Sequence, residues 1–459
     1  MTSIPATTHA GPDSERQYGW AVFAAGAILS SAVLVFASDD IGQKVAAMFI
    51  LSFATAAAVR FDIAHPFVWF AGAFTLYSVS GPLLFHLGVH PYDTWGGYRM
   101  SEIDFSGAMD YQFFALIIAL AVIGPRQVSF LNVRNNPMAD AVYQGALPIL
   151  IVAGVIGVAN IFLIVSQDFT SKGDVVLSGD WTTRLSFAFN IAATALGVYL
   201  SRLFSEGHPV TAYSILLIVI AVGIIMVLVI GQRHFLFRAG LISLLVFHIF
   251  HRRISIRSLL VMAGFALVLS SVLGGYKMAL VLQDAAPVDT GSLWEQTVQV
   301  IALKNPEFLN NSPFMQYLKV GLVAALGSEA MTPGNNMAML LSRVPQDLSY
   351  FYGTTVPGDL LRSVLPGFIV QPFVETTGAV YNRLVFPDTV ATGGGVGFTI
   401  VGYGYLHFGE MGVLMIMLVI GGTLRMIYNW AGRTPTGLMF YIGFFPVAVF
   451  LNFEDALIK

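Results

Sequence analysis

The sequence contains no cysteine, which excludes disulfides, thiolate zinc sites and cysteine nucleophiles at once. Charge is nearly as scarce: Asp, Glu, Lys and Arg make up 11% of 459 residues, where a soluble domain carries about 25%. So few charges cannot cover a water-facing surface of ordinary area, and lipid must be the main solvent. No basic run or face is present and the formal net charge is −3, which argues against a nucleic-acid partner. The polar stretch from Met1 to Gln17, with Asp13, Glu15 and Arg16, lacks both a basic n-region and a small-residue cleavage site. It reads as a retained tail rather than a signal peptide.

What the chain has in abundance is apolar sequence, with 56% hydrophobic residues and a mean hydropathy of +0.74. A helix needs about 20 mainly apolar residues to cross a bilayer. Such runs occupy 18–37, 43–60, 66–88, 106–124, 145–166, 185–204, 210–230, 236–251 and 257–276, and again 410–429 and 436–453. The expectation is an all-α polytopic integral membrane protein of about eleven spans. Residues 1–276 would hold the first group of spans, 277–409 one large extracytoplasmic segment of mixed polarity, and 410–459 the last spans. No internal repeat is visible, nor the inverted halves of many transporters.

Basic residues set the orientation, because short cytoplasmic loops carry an excess of Lys and Arg. With the N-terminus inside, the cytoplasmic loops hold Arg60, Arg126, Arg134, Arg202, Arg252, Arg253, Arg257, Arg425 and Arg433. The outward loops hold Asp39, Asp40, Asp93, Glu102, Asp104, Asp168, Asp174 and Asp180, outnumbering Arg99, Lys172 and Arg184. The exception is the loop from Gly231 to Arg238, expected outside yet carrying Arg233 and Arg238 with no acid. Arginine beside a membrane helix is costly unless it reaches water, an interface or an anion. These two either bind an anionic ligand at the outer leaflet or snorkel to headgroups there. Asp39-Asp40, in the first outward loop, has no histidine near it in sequence and reads as an ordinary solvated pair; no metal is expected.

Three stretches carry a family resemblance. Gly231-Gln232-Arg233-His234-Phe235-Leu236-Phe237-Arg238 opens a short apolar helix that ends in His251-Arg252-Arg253. Arg343-Val344-Pro345 is followed by Tyr352-Gly353-Thr354-Thr355 and by the run from Leu360 through Arg362 to Pro366. Gly393-Gly394-Gly395 precedes Tyr405-Leu406-His407-Phe408-Gly409-Glu410 at the entrance to a late span. In order and spacing around one large outer segment, these resemble the oligosaccharide repeat-unit polymerases of bacterial surface polysaccharides, the O-antigen polymerase or Wzy family. The chain departs from that pattern at Tyr403, where many members have an acid, and at Pro366-Gly367, where many have proline-arginine.

The resemblance implies a GT-C-like, metal-independent glycosyltransferase without a cofactor, in the bacterial inner membrane with its large loop periplasmic. Donor and acceptor would be undecaprenyl-diphosphate-linked oligosaccharides, with membrane lipids and a chain-length-regulating co-polymerase as further partners. Charge grows on the departing diphosphate, and preorganised cations stabilise it best. Arginine suits that task through paired hydrogen bonds to phosphate oxygens, so Arg233 and Arg238 are the first candidates. His234 is the candidate base and His407 the second, the latter reading more naturally as a structural hydrogen-bonder. Arg343, Arg362, Arg383, Tyr403 and His407 are candidate substrate contacts. Lys319, Asp347, Asp359, Glu375, Tyr350, Phe351, Tyr352, Tyr381 and Tyr405 are lesser ones, more simply read as a solvated loop with a packed underside. Two other activities fit the sequence: an O-antigen ligase using the same donor, and a transporter or flippase of lipid-linked oligosaccharide.

Overall fold

In a computed structural model of the chain, residues 12–90, 96–128, 210–218, 234–250, 253–259, 312–326, 332–364, 374–391, 396–397 and 399–449 are described, with isolated positions between 144 and 264. The regular elements among them are all α-helices. Those long and apolar enough to cross a membrane are α1 (Pro12–Phe36, apolar from Gln17), α2 (Ile41–Ala58), α3 (Pro66–His86), α4 (Glu102–Ile123) and α11 (Ile400–Ala431). Two shorter apolar helices among the described residues, α5 (His234–Phe250) and α12 (Pro435–Val449), pack with them. The protein is a membrane-embedded helical protein. The expected spans at 18–37, 43–60, 66–88, 106–124, 236–251, 410–429 and 436–453 coincide with these helices, whereas those at 145–166, 185–204, 210–230 and 257–276 lie wholly or largely outside the described residues.

Side chains at the ends start the helices where the apolar runs begin. Asp40 accepts the Gln43 N–H to cap α2, and Asp39 accepts the Ser106 hydroxyl, so the acidic pair closes off helix ends. His65 caps α3 through Nδ1, with Pro66 at the first helical position. Ser101 and Asp104 form a capping box on α4, and Glu102 and Asp104 complement its dipole.

The bundle has two chemically distinct ends. At one, Asp39, Asp40, Glu102, Asp104 and Asp110 gather. There the buried Lys44 of α2 reaches Asp110 at 2.8 Å and the carbonyl and hydroxyl of Ser106, so all three ammonium protons are used. At the other, Arg60, Arg126, Arg253, Arg425 and Arg433 surround the turns after α2, α4, α5 and α11. Here Arg425 donates to Val122 O at 3.2 Å, His65 Nε2–H to Arg126 O at 3.1 Å, and Tyr441 to Ala64 O at 2.5 Å while accepting Trp69 Nε1–H. The direction of α5 follows from this end. His248 donates Nε2–H to Asp62 at 2.9 Å and accepts the Ile254 N–H on Nδ1. His234, fourteen residues earlier, is about 21 Å away along the axis, toward the acidic end.

Candidate functional site

On the acidic end sits a layer of short helices: α6 (Pro313–Leu326), α7 (Thr332–Arg343), α8 (Val356–Val364), α9 (Thr377–Val385) and α10 (Pro387–Ala391). A solvated loop is not what forms there. Residues Thr332 to Leu340 of α7 are all buried against α3 and α4, despite carrying Thr332, Asn335 and Asn336. Most of their polar groups are paired: Asn335 Oδ1 meets His90 Nε2 at 3.1 Å, while its Nδ2 is buried without a hydrogen-bond partner among the described residues, and Asn336 accepts the Tyr381 hydroxyl at 2.9 Å and donates to Gly397 O. Ser342 donates to Asp104, and Arg343 to Gly96 O at 3.3 Å.

The layer ends in a break inside α11. Phe408 (φ −141°, ψ 23°) and Gly409 (φ 60°, ψ −141°) leave the helical region. In a straight helix Gly404 and Gly412 would lie about 12 Å apart. Here a Cβ on Gly412 would sit 1.9 Å from Gly404 O, so the arm 400–407 folds back against the start of 410–431. The carbonyls freed by the break are taken from outside the helix, Leu406 O by Phe351 N–H at 3.0 Å and His407 O by Tyr352 N–H at 3.2 Å. The long arm, about 33 Å at the usual helical rise, matches a hydrocarbon core of about 30 Å.

Beneath the break lies a buried polar network. Gly353 N–H donates to His407 Nδ1 at 3.2 Å, so the ring proton is on Nε2 and faces Thr377 Oγ1 at 3.0 Å. Thr377 passes its hydroxyl proton to Asp359 Oδ2, which also accepts the Tyr403 hydroxyl at 2.8 Å. Asp359 Oδ1 takes the Thr377 N–H at 3.0 Å, and the Thr355 hydroxyl reaches Thr377 Oγ1 at 2.5 Å. One proton assignment satisfies every member, and together they tie α8, α9, the 351–355 turn and the short arm of α11 into one unit.

Above the break is an open cluster. The Tyr111 hydroxyl donates to Glu410 Oε1 at 2.8 Å. The Tyr405 ring stands edge-on to Tyr111 at 5.6 Å and to Tyr350 at 6.1 Å, and Tyr350 meets Tyr352 at 5.8 Å. Glu410 and Tyr352 are exposed, Tyr111 and Tyr350 half-buried. This cluster sits where the charged stretch of α4 ending at Asp110 gives way to its apolar run.

The sequence-expected site residues fall in three groups. Tyr403 and His407 come together, inside the buried network and behind the open cluster. Arg343 packs along α7, with Asp347 at 3.8 Å, and Arg383 is exposed with its guanidinium fork on Glu375 at 2.5 and 3.0 Å. The Arg383 hydrogen bond and charge hold the Glu375 carboxyl below its ordinary range. Arg362 lies in α8, and His234 and Arg238 in α5, as helical backbone whose side chains are outside the description; Arg233 lies outside the described residues. Sequence reasoning missed Tyr111 and Glu410. The signal was Asp110-Tyr111-Gln112 interrupting an apolar run, and an acid directly after Gly409.

Family models, curated proteins and solved structures were each compared with the chain, and none matches it.

Proposed function

We propose that this chain joins undecaprenyl-diphosphate-linked oligosaccharide repeat units into surface polysaccharide, by glycosyl transfer at the extracytoplasmic face of the bacterial inner membrane. The observation that carries the proposal is the direction of α5. Its far end is fastened to Asp62 at the arginine-rich end, which runs the helix from there toward its start at His234, on the acidic side. That is the end bearing the short-helix layer and the tyrosine–carboxylate cluster. In this reading the arginine-rich end is cytoplasmic. Arg233 and Arg238 grip the donor diphosphate, and the layer holds the acceptor sugar. Arg343 and Arg362 are further contacts to substrate, and Arg383 joins them only when Glu375 releases it. Tyr403 and His407 hold the layer's shape.

The test is a polymerisation assay with the purified chain in nanodiscs, supplied with lipid-linked repeat units and no lipid A core. A ladder of products is expected, and its formation without core acceptor separates a polymerase from a ligase. Neither is a second leaflet needed, as a flippase would require. Arg233→Ala and Arg238→Ala should each abolish the ladder with membrane insertion intact, because the lost partner acts on the leaving group. Full activity in both variants overturns their assignment.

A further inference from the structure

The cluster at the break of α11 has a composition that the donor end of such a reaction does not call for. Glu410 forms no ion pair among the described residues, and its Oε2 is left open by the single hydrogen bond from Tyr111 to Oε1. A bare carboxylate repels phosphate, so a diphosphate or phospholipid headgroup is a poor occupant. An aromatic belt that merely anchors a bundle spreads its rings around the circumference at the headgroup level. Here Tyr111 from α4, Tyr405 from the short arm, and Tyr350 and Tyr352 from the turn after α7 form one continuous chain of ring contacts, with the Tyr350 hydroxyl 3.1 Å from where a Cβ on Gly409 would lie. Nor is it a cage for an alkylammonium group, which needs ring faces turned inward. Tyr405 packs edge-on at 77° to Tyr111 and 66° to Tyr350, so those faces are used among the rings themselves. What remains outward is the Tyr352 ring (69% exposed), edge-on to Tyr350, with the exposed Glu410 carboxylate in the same cluster. A stacking platform edged by hydrogen-bonding oxygens is the chemistry of a pyranose site.

We infer that Tyr111, Tyr350, Tyr352, Tyr405 and Glu410 form the acceptor-sugar site, with Glu410 as the base for the attacking hydroxyl. The sugar-binding half stands on the cluster alone; the catalytic half rests on the proposed glycosyl transfer. In that step the acceptor oxygen bonds to the donor's anomeric carbon and its proton moves to Glu410 Oε2. The bond from that carbon to the diphosphate oxygen breaks, and its electron pair leaves with the diphosphate. The buried Asp359–Thr377–His407 network acts as positioning structure, holding the short arm that carries Tyr405.

The experiment pairs binding with turnover on the full chain in nanodiscs. Labelled nanodiscs are read on an array of bacterial oligosaccharides four to eight sugars long, with phosphocholine spots alongside, and polymer formation is measured in parallel. Wild type should bind one or more oligosaccharides and not phosphocholine. Tyr352→Ala should weaken that binding by about tenfold, in keeping with the loss of a stacking ring. Glu410→Gln, nearly isosteric, should bind within about threefold but make polymer at least about 100-fold more slowly, with its thermal midpoint unchanged. Wild type binding no sugar, or phosphocholine instead, overturns the site. Undiminished polymer from Glu410→Gln overturns its role as base and leaves the transferase reading standing. Sugar binding that Tyr352→Ala weakens, with no polymer from wild type under any condition, overturns the transferase reading and the base together and leaves the sugar site.

Discussion

Gly409 carries the geometry of the candidate site in a single residue. At φ 60° and ψ −141° it occupies backbone space that residues with a Cβ avoid, and the Tyr350 hydroxyl fills the space a side chain would need. Gly409→Ala should therefore unseat Tyr350 and the short arm, abolishing sugar binding in the array assay while α1 to α4 still insert; retained binding would show that the break is not required. At the opposite end, His65 gives a pH signature. Burial pushes its imidazole down to about 4, while its Nδ1 caps α3. The unfolded chain binds a proton there from about 6.5 downward and the folded chain only near 4, so stability falls as pH drops through that window, by at most about 3 kcal/mol. His65→Asn keeps a cap without the titration; its thermal midpoint should fall less than that of wild type between pH 7 and pH 5. Neither residue advertises its role in sequence. Gly409 is one glycine among 45, and His65 is separated from an ordinary loop histidine only by the partner it meets in space.

Among the elements, legibility tracks whether the solvent or a neighbouring helix decides the outcome. The apolar runs of α1 to α5, α11 and α12 are readable because lipid demands them, and Asp40, Pro66 and Ser101 mark their starts. The layer of short helices is not readable in that way. The polar residues of α7 are buried because His90, Tyr381, Gly397 and Asp104 meet them and Gly334 lets the helix close on Ser78 and Pro82 of α3, partners that lie far away in sequence. The span expected at 410–429 is right in place, yet the arm 400–407 folds back because of contacts with Phe351 and Tyr352. Asp359, one acid among several in a segment of mixed polarity, turns out to accept three hydrogen bonds in the buried network. Asp359→Asn turns one acceptor into a donor facing Thr377 or Tyr403, at a cost of about 1–3 kcal/mol. A lower thermal midpoint in detergent should result, without change at the α1–α2 end; an unchanged midpoint would mean the network adds nothing to stability.

For the whole molecule, the question is which end faces outward. The bundle separates acids and arginines more cleanly than the sequence alternation does, since the buried Lys44 is paired with Asp110 and Ser106 at the acidic end. With that lysine paired, Arg60, Arg126, Arg253 and Arg433 gather at the opposite end, which under the positive-inside rule would be the cytoplasmic one. The absence of native cysteine turns this into a direct measurement. Single cysteines at Tyr352, in the exposed part of the tyrosine cluster, and at Ser255, beyond the end of α5, should behave oppositely toward a membrane-impermeant thiol reagent on intact cells. Labelling at 352 and protection at 255 until the cells are opened places the sugar site where lipid-linked repeat units would be polymerised. The reverse pattern would put the site in the cytoplasm, where acceptors of that kind are not presented. It would then remove the proposed reaction however well the cluster binds sugar.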